Sequence, residues 1–213
     1  MKTDSLISLL STGVEPVDRH VLTKRFGLAM LAAACGSTIL MAVVYGVRSD
    51  INQLWTTPLF WAKVAFPLSL AAISLVVTAR LSRPGSVVGA AGAALALPFL
   101  AVWLAAVVLL WSASPDTRVS LIIGVTWRTC VFNIALLSLP SFISVFWAIK
   151  GLAPTRLRVA GAAGGLLAGS TAAVAYCLHC PEMGVPFWAV WYFLGMLIPT
   201  AVGALLGPRV LRW

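Results

Sequence analysis

Residues Phe26–Val47 read FGLAMLAAACGSTILMAVVYGV, 22 residues without a charged side chain. At about 1.5 Å per residue this run makes a helix of roughly 33 Å, long enough for the ~30 Å hydrocarbon core of a bilayer. Five further apolar runs follow, at Pro58–Ala79, Val87–Trp111, Val131–Ile149, Val159–Leu178 and Phe187–Leu206. Lipid offers the backbone no water, so each run has to satisfy its own amides as a helix. The expectation is an all-α integral membrane bundle of six transmembrane helices over residues 26–213, preceded by a polar lead over residues 1–25. Short connections make neighbouring helices antiparallel hairpins and leave no room for a second domain.

Composition agrees, with 61% hydrophobic residues, 10% charged residues and a mean hydropathy of +0.99. A net charge of +9 would point to nucleic acid in a soluble chain. Here the basic residues are dispersed at helix ends, which excludes a nucleic-acid surface. Lys2, Arg19, Lys24, Arg25, Arg80, Arg83, Lys150, Arg156, Arg158, Arg209 and Arg212, 11 of the 15, fall before the first run, in alternate loops, or after the last. The positive-inside rule makes that side, and both termini with it, cytoplasmic. The other side carries Arg48, Asp50, Asp116, Arg118 and Glu182. The first run is too long for a signal-peptide core and reads as an uncleaved helix.

Interior prolines mark the three returning helices, at Pro67, Pro140 and Pro199. Gly161, Gly165 and Gly169 make a small-residue stripe at i, i+4, i+8, which suits close packing inside the bundle better than homodimerisation. Trp55, Trp61, Trp111, Trp127 and Trp188 near the outer boundary, and Trp213 near the inner one, read as interface anchors. Lys63 and Arg128 lie deep for charges and are expected to snorkel outward.

The four cysteines divide by depth. Cys35 falls near mid-membrane and reads as a small packing residue. Counted from Lys150, Cys130 lies about 30 Å up the fourth helix; counted from Arg158, Cys177 and Cys180 lie about 28 and 33 Å up the fifth. Three thiols thus share one outer level, facing a compartment where disulfides persist. The segment Ala175–Met183, AYCLHCPEM, contains Cys-x-x-Cys, but at a helix C-terminus, where the dipole disfavours thiolate. The residues leave three readings open: Cys130 bonding to or responding with Cys180, a soft-metal set of Cys130, Cys177, His179 and Cys180, and inert packing. No resident cofactor is expected beyond such transient soft-metal binding.

The lead opens MKTDSLISLLSTGVEPVDR. Thr3 or Asp4 can cap a helix whose apolar stripe is Leu6, Ile7, Leu9 and Leu10, and Gly13 can end it. Pro16 suits the first turn of a second helix carrying Val17, Val21 and Leu22. So short an amphipathic helix is marginal alone and needs a surface. Asp4, Glu15 and Asp18 disfavour anionic lipid, leaving a protein groove. Leu6, Ile7, Leu9 and Leu10 are the expected anchors, positioned by Pro16 and Val17.

Taken together, TDSLISLL, GVEPVDR, the TWRTC around Cys130, the LAPTR loop, AYCLHCPEM and the closing LGPRVLRW resemble the NrsF family. The resemblance spans the chain and is most specific in AYCLHCPEM and the terminal GPRVLRW. It implies a six-helix inner-membrane anti-sigma factor, not an enzyme, whose cytoplasmic lead holds an extracytoplasmic-function (ECF) sigma factor inactive. It further implies that oxidative or heavy-metal stress outside is received by a cysteine pair matching Cys130 and Cys180. Because a helix moves as a stiff rod, a change in the packing of that hairpin is expected to move the LAPTR loop about 30 Å away. Two rival classes are a membrane thiol oxidoreductase and a small metal transporter. The first needs a low-pKa dithiol, which the helix C-terminus opposes; the second needs mid-membrane polar groups, of which there are few.

Overall fold

The structure, a computed structural model, describes residues 3–12 and 20–212. Among the described residues every regular element is helical: α1 Thr3–Ser11, α2 Val21–Val44, α3 Ile51–Leu54, α4 Pro58–Leu81, α5 Ala90–Ala94, α6 Ala96–Ser112, α7 Pro115–Ile123, α8 Trp127–Lys150, α9 Leu157–Tyr176, α10 Val185–Phe187 and α11 Phe193–Val210. A π-helical turn, Trp188–Tyr192, joins α10 to α11. Six stretches are long and apolar enough to cross a membrane, matching the six runs.

The differences from the sequence reading have local causes. The first span begins at Val21, so the last residues of the lead, Lys24 and Arg25 included, form the first turns of α2. The third span is broken between α5 and α6 at Leu95. Pro98 explains this: its ring clashes with the carbonyl four residues back, that of Ala94, and it has no N–H to offer it. The stretch before the fourth span is a helix, α7, started by Pro115 at its first position and ended by Gly124 at φ +59°.

The bundle is built around α9. Its side chains are small enough for four helices, α2, α4, α8 and α11, to pack against it, and most of its length is buried. The glycine stripe faces α11. A Cβ added at Gly161 would strike the Gly203 carbonyl, and one at Gly165 the Pro199 carbonyl; Gly203 and Gly207 are equally tight against Gly161 and Leu157. The stripe is therefore a seam within the chain, as its spacing suggested.

A polar seam joins α2 to α8 beside Pro140. Ser37 Oγ donates to the Leu137 carbonyl at 2.8 Å and lies 2.7 Å from Ser141 Oγ, which itself donates to the Ala33 carbonyl at 3.2 Å. The Leu137 carbonyl lies beside the point where Pro140 interrupts the α8 ladder, and the Ala33 carbonyl belongs to α2, so the hydroxyls bond across the two helices. The third span, α5–α6, is peripheral, with Ala106 its one buried residue.

Two apolar cores stack along the axis. One gathers Phe26, Leu81, Ile149, Ala160 and Leu211, at the end where α2 begins and α11 finishes. The other gathers Met41, Phe66, Cys130, Tyr176, Cys177, Cys180 and Trp188. Trp188, expected as an interface anchor, is instead 2% exposed, its indole N–H donating to the Glu182 carbonyl at 3.2 Å. The π turn rotates it inward. Trp55, Trp61 and Trp111 are exposed as expected, whereas Trp127 is half-buried against Trp191, with ring centroids 5.4 Å apart. Trp213 lies outside the described residues.

Candidate functional site

The thiols counted to one level share one buried core there. Cys130 on α8, Cys177 at the end of α9 and Cys180 beyond it are each 0% exposed and belong to one core. Tyr176 and Tyr192 complete the cluster. Tyr176 accepts from Asn133 Nδ2 at 3.3 Å. The Tyr192 hydroxyl is fully buried and has no nitrogen or oxygen partner; it faces the Cys177 and Cys180 sulfurs. All four cysteines are thiols, and Cys35 is exposed on the bundle's flank.

Lys63 departs most from expectation. It does not snorkel: it is 0% exposed, and its Nζ donates to the Cys180 carbonyl at 2.6 Å. Arg48 Nη1 donates to the same carbonyl at 3.1 Å. The carboxylate of Asp50 aligns Arg48 through two bonds of 2.6 Å, and that guanidinium holds the Asp50 carboxyl below its usual range. Two cations thus share one carbonyl, that of Cys180, in the segment that follows the negative end of α9. The Cys177 sulfur in turn donates weakly, at 3.8 Å, to the Lys63 carbonyl. Arg128 meets expectation: it is exposed, stacked 5.1 Å over Trp127.

The remaining residues of AYCLHCPEM clamp neighbouring segments. His179 turns away from the thiols, its Nδ1 donating to the Gly46 carbonyl at 3.0 Å, with Tyr45 5.2 Å from its ring. Glu182 Oε1 accepts from the amides of Val125 and Thr126 at 2.6 and 2.9 Å and from Thr126 Oγ1 at 3.2 Å. A carboxylate there complements the positive N-terminus of α8. Glu182 therefore ties the segment after α9 to the helix that carries Cys130. Sequence reasoning missed this contact; the one signal was an acidic residue in a loop opposite a helix start.

As a metal site the set Cys130, Cys177, His179 and Cys180 is not assembled here. Among the described residues no three His, Cys, Asp or Glu side chains lie together as ligands, and His179 is the member that points elsewhere. A cleft of about 590 Å³ lined by Tyr45, Arg48, Asp50, Thr126, His179 and Pro181 opens beside the cluster.

The opposite end carries the lead. Helix α1 forms as expected, closed by Thr12, whose Oγ1 donates to the carbonyls of Ser8 and Leu9 at 3.1 and 2.9 Å. No residue of α1 is buried, and Leu6, Ile7, Leu9 and Leu10 are 42 to 68% exposed. Gly13, Pro16 and Val17 lie outside the described residues. Near the start of α2 a cleft of about 690 Å³ runs between α2 and α4, lined by Leu22, Phe26, Met30, Val76, Arg80 and Arg83 among others.

Residues 10–213 match the family described as "Negative regulator of sigma F". A "Probable anti-sigma-F factor NrsF" of Azospira oryzae is 49% identical over 213 residues, covering 100% of both chains. An "Anti-sigma-F factor NrsF" of Caulobacter vibrioides is 34% identical over 222 residues, again covering 100% of both. No solved structure matches. With a match along nearly its whole length and two full-length relatives, the chain belongs to the NrsF family of negative regulators of sigma F.

Proposed function

We propose that this chain is a multi-pass anti-sigma factor of the bacterial inner membrane. It holds an ECF sigma factor at the cytoplasmic face through its lead and releases it when Cys130 and Cys180, at the outer end, are oxidised or take up a heavy metal. The observation that carries the reading is the division of the molecule: an uncovered apolar face on α1 at one end, three buried thiols at the other. The 11 basic residues that sort to the side of both termini support an inside orientation for them. Six spans return the C-terminus to the side of the N-terminus.

The thiol step balances without a resident cofactor. With a peroxide, Cys130 and Cys180 surrender two electrons and two protons; the S–S bond forms, the O–O bond breaks, and water and an alcohol leave. With a soft metal, two thiolates ligate it and two protons are lost. The cleft at Tyr45, Arg48 and His179 is lined by the neighbours of Cys180 in sequence, His179 and Pro181, and is the proposed approach for either reagent.

A sigma-dependent reporter under peroxide or cadmium tests this. The Cys130→Ser, Cys180→Ser double variant should insert normally yet lose its dose response. Cys35→Ser, on the flank, should keep it, and Cys177→Ser should matter only for metal. An unaltered response in the double variant removes the thiols from sensing. Topology has its own check: a phosphatase fusion after Trp213 should be silent, and one in the loop at Arg48–Asp50 active. The reverse pattern overturns the orientation.

A further inference from the structure

We infer that Lys63 is the positioning residue that carries the state of Cys180 along α4 to the end of the bundle where the lead enters, an inference that rests on the thiol reading above. A lysine inside a transmembrane core is costly, and an uncharged side chain of like length, methionine for example, would fill the space at less expense. Its presence has to be explained by what it touches. Lys63 Nζ is held by the Cys180 carbonyl at 2.6 Å, and the Cys177 thiol reaches back to the Lys63 carbonyl. The ammonium lies 5.9 Å from the Tyr192 ring centroid, so it is surrounded by the thiol cluster and by the end of α9.

This contact is sensitive to what happens at Cys180. Pro181 follows directly, so the conformations open to Cys180 are few. A disulfide from Cys180 to Cys130 has to bring their Cα atoms to within about 4.4–6.8 Å. Metal ligation constrains the same pair in its own way. Either event turns the peptide group whose oxygen holds the ammonium. Arg48, anchored from outside by Asp50, can follow that oxygen because it sits on a loop. Lys63 cannot, because it is fixed one and a half turns into a packed helix.

The released constraint has a path. From Lys63 to Arg80 α4 continues unbroken through Pro67 for about 26 Å. At its far end Arg80 donates to the Val88 carbonyl at 2.8 Å and lines the cleft shared with Leu22 and Phe26 of α2, the helix the lead runs into. Packed helices answer such changes by small rigid shifts. The expected LAPTR movement runs along α9; the Lys63 contact adds a second route, along α4, that ends at the cleft shared with Leu22 and Phe26.

The test pairs the peroxide or cadmium reporter with maleimide labelling of Cys130 and Cys180 after the treated membranes are unfolded in detergent without chelator, so that burial alone gives no protection, at matched protein levels. Lys63→Met should raise the uninduced reporter about tenfold, the weight of one charge-assisted hydrogen bond. Inducer should then add little, although both cysteines are still protected from maleimide. Lys63→Arg, which keeps a charged donor, should stay repressed and inducible. If Lys63→Met fails to reach the membrane, Lys63→Gln replaces it under the same expectation. A silent, normally inducible Lys63→Met or Lys63→Gln overturns the inference while leaving the thiol reading intact. A wild-type protein whose cysteines are never protected overturns both.

Discussion

Changing Leu9 and Leu10 together to aspartate should leave the sigma regulon fully on while the protein remains at its normal level in the membrane. Both side chains are exposed on α1, at 68 and 66%, so the substitution breaks no contact of the bundle. In a complex they would fill an apolar groove. Two carboxylates stranded there cost on the order of 3 kcal/mol or more, above a hundredfold in affinity. Leu6 and Ile7 lie on the same short helix, so single changes there should weaken repression less. The measurement is a sigma-dependent reporter beside a membrane immunoblot. Continued repression would remove the lead from the mechanism.

The second large effect is on folding. Gly165→Val should deplete the protein from the membrane. Its first added carbon would already overlap the Pro199 carbonyl, and backbone on both helices prevents relief. Overpacking of this kind costs about 3 kcal/mol where neighbours can shift, and here they are main chain. Gly27→Ala is the matched control, since an added Cβ there meets nothing within 4 Å. Quantitative immunoblotting and thermal aggregation in detergent should separate the two. Equal abundance and equal melting would show that the α9–α11 seam does not hold the bundle together.

The spans were legible because a helix in lipid must be long and apolar. The breaks were harder to read. Pro98 lies inside an apolar run, and only its effect on the carbonyl of Ala94 separates α5 from α6. Gly161, Gly165 and Gly169 were legible as a seam, since small residues at that spacing admit another backbone.

The candidate site was half legible. Counting residues along two antiparallel helices placed Cys130, Cys177 and Cys180 at one height, and rise per residue is nearly constant. Height says nothing of rotation about the axis, which is why Lys63 was expected in solvent and Trp188 at the interface. Both face inward, Lys63 toward the Cys180 carbonyl and Trp188 through the π turn. His179 sits next to Cys180 in sequence yet faces Gly46, because adjacent residues at a helix end diverge. Glu182 has no periodic pattern to betray it; its role depends on α8 starting beside it.

The central claim is that one protein holds a sigma factor at one end and gives it up when thiols at the other end change. It is tested most directly by reconstituting the full chain in nanodiscs, loading it with the ECF sigma factor that it represses, and measuring the fraction retained before and after peroxide or cadmium. The account predicts tight retention before treatment, release after it, and retention throughout for the Cys130→Ser, Cys180→Ser variant. Failure to retain the sigma factor at all, or equal release from the wild type and that variant, would contradict it.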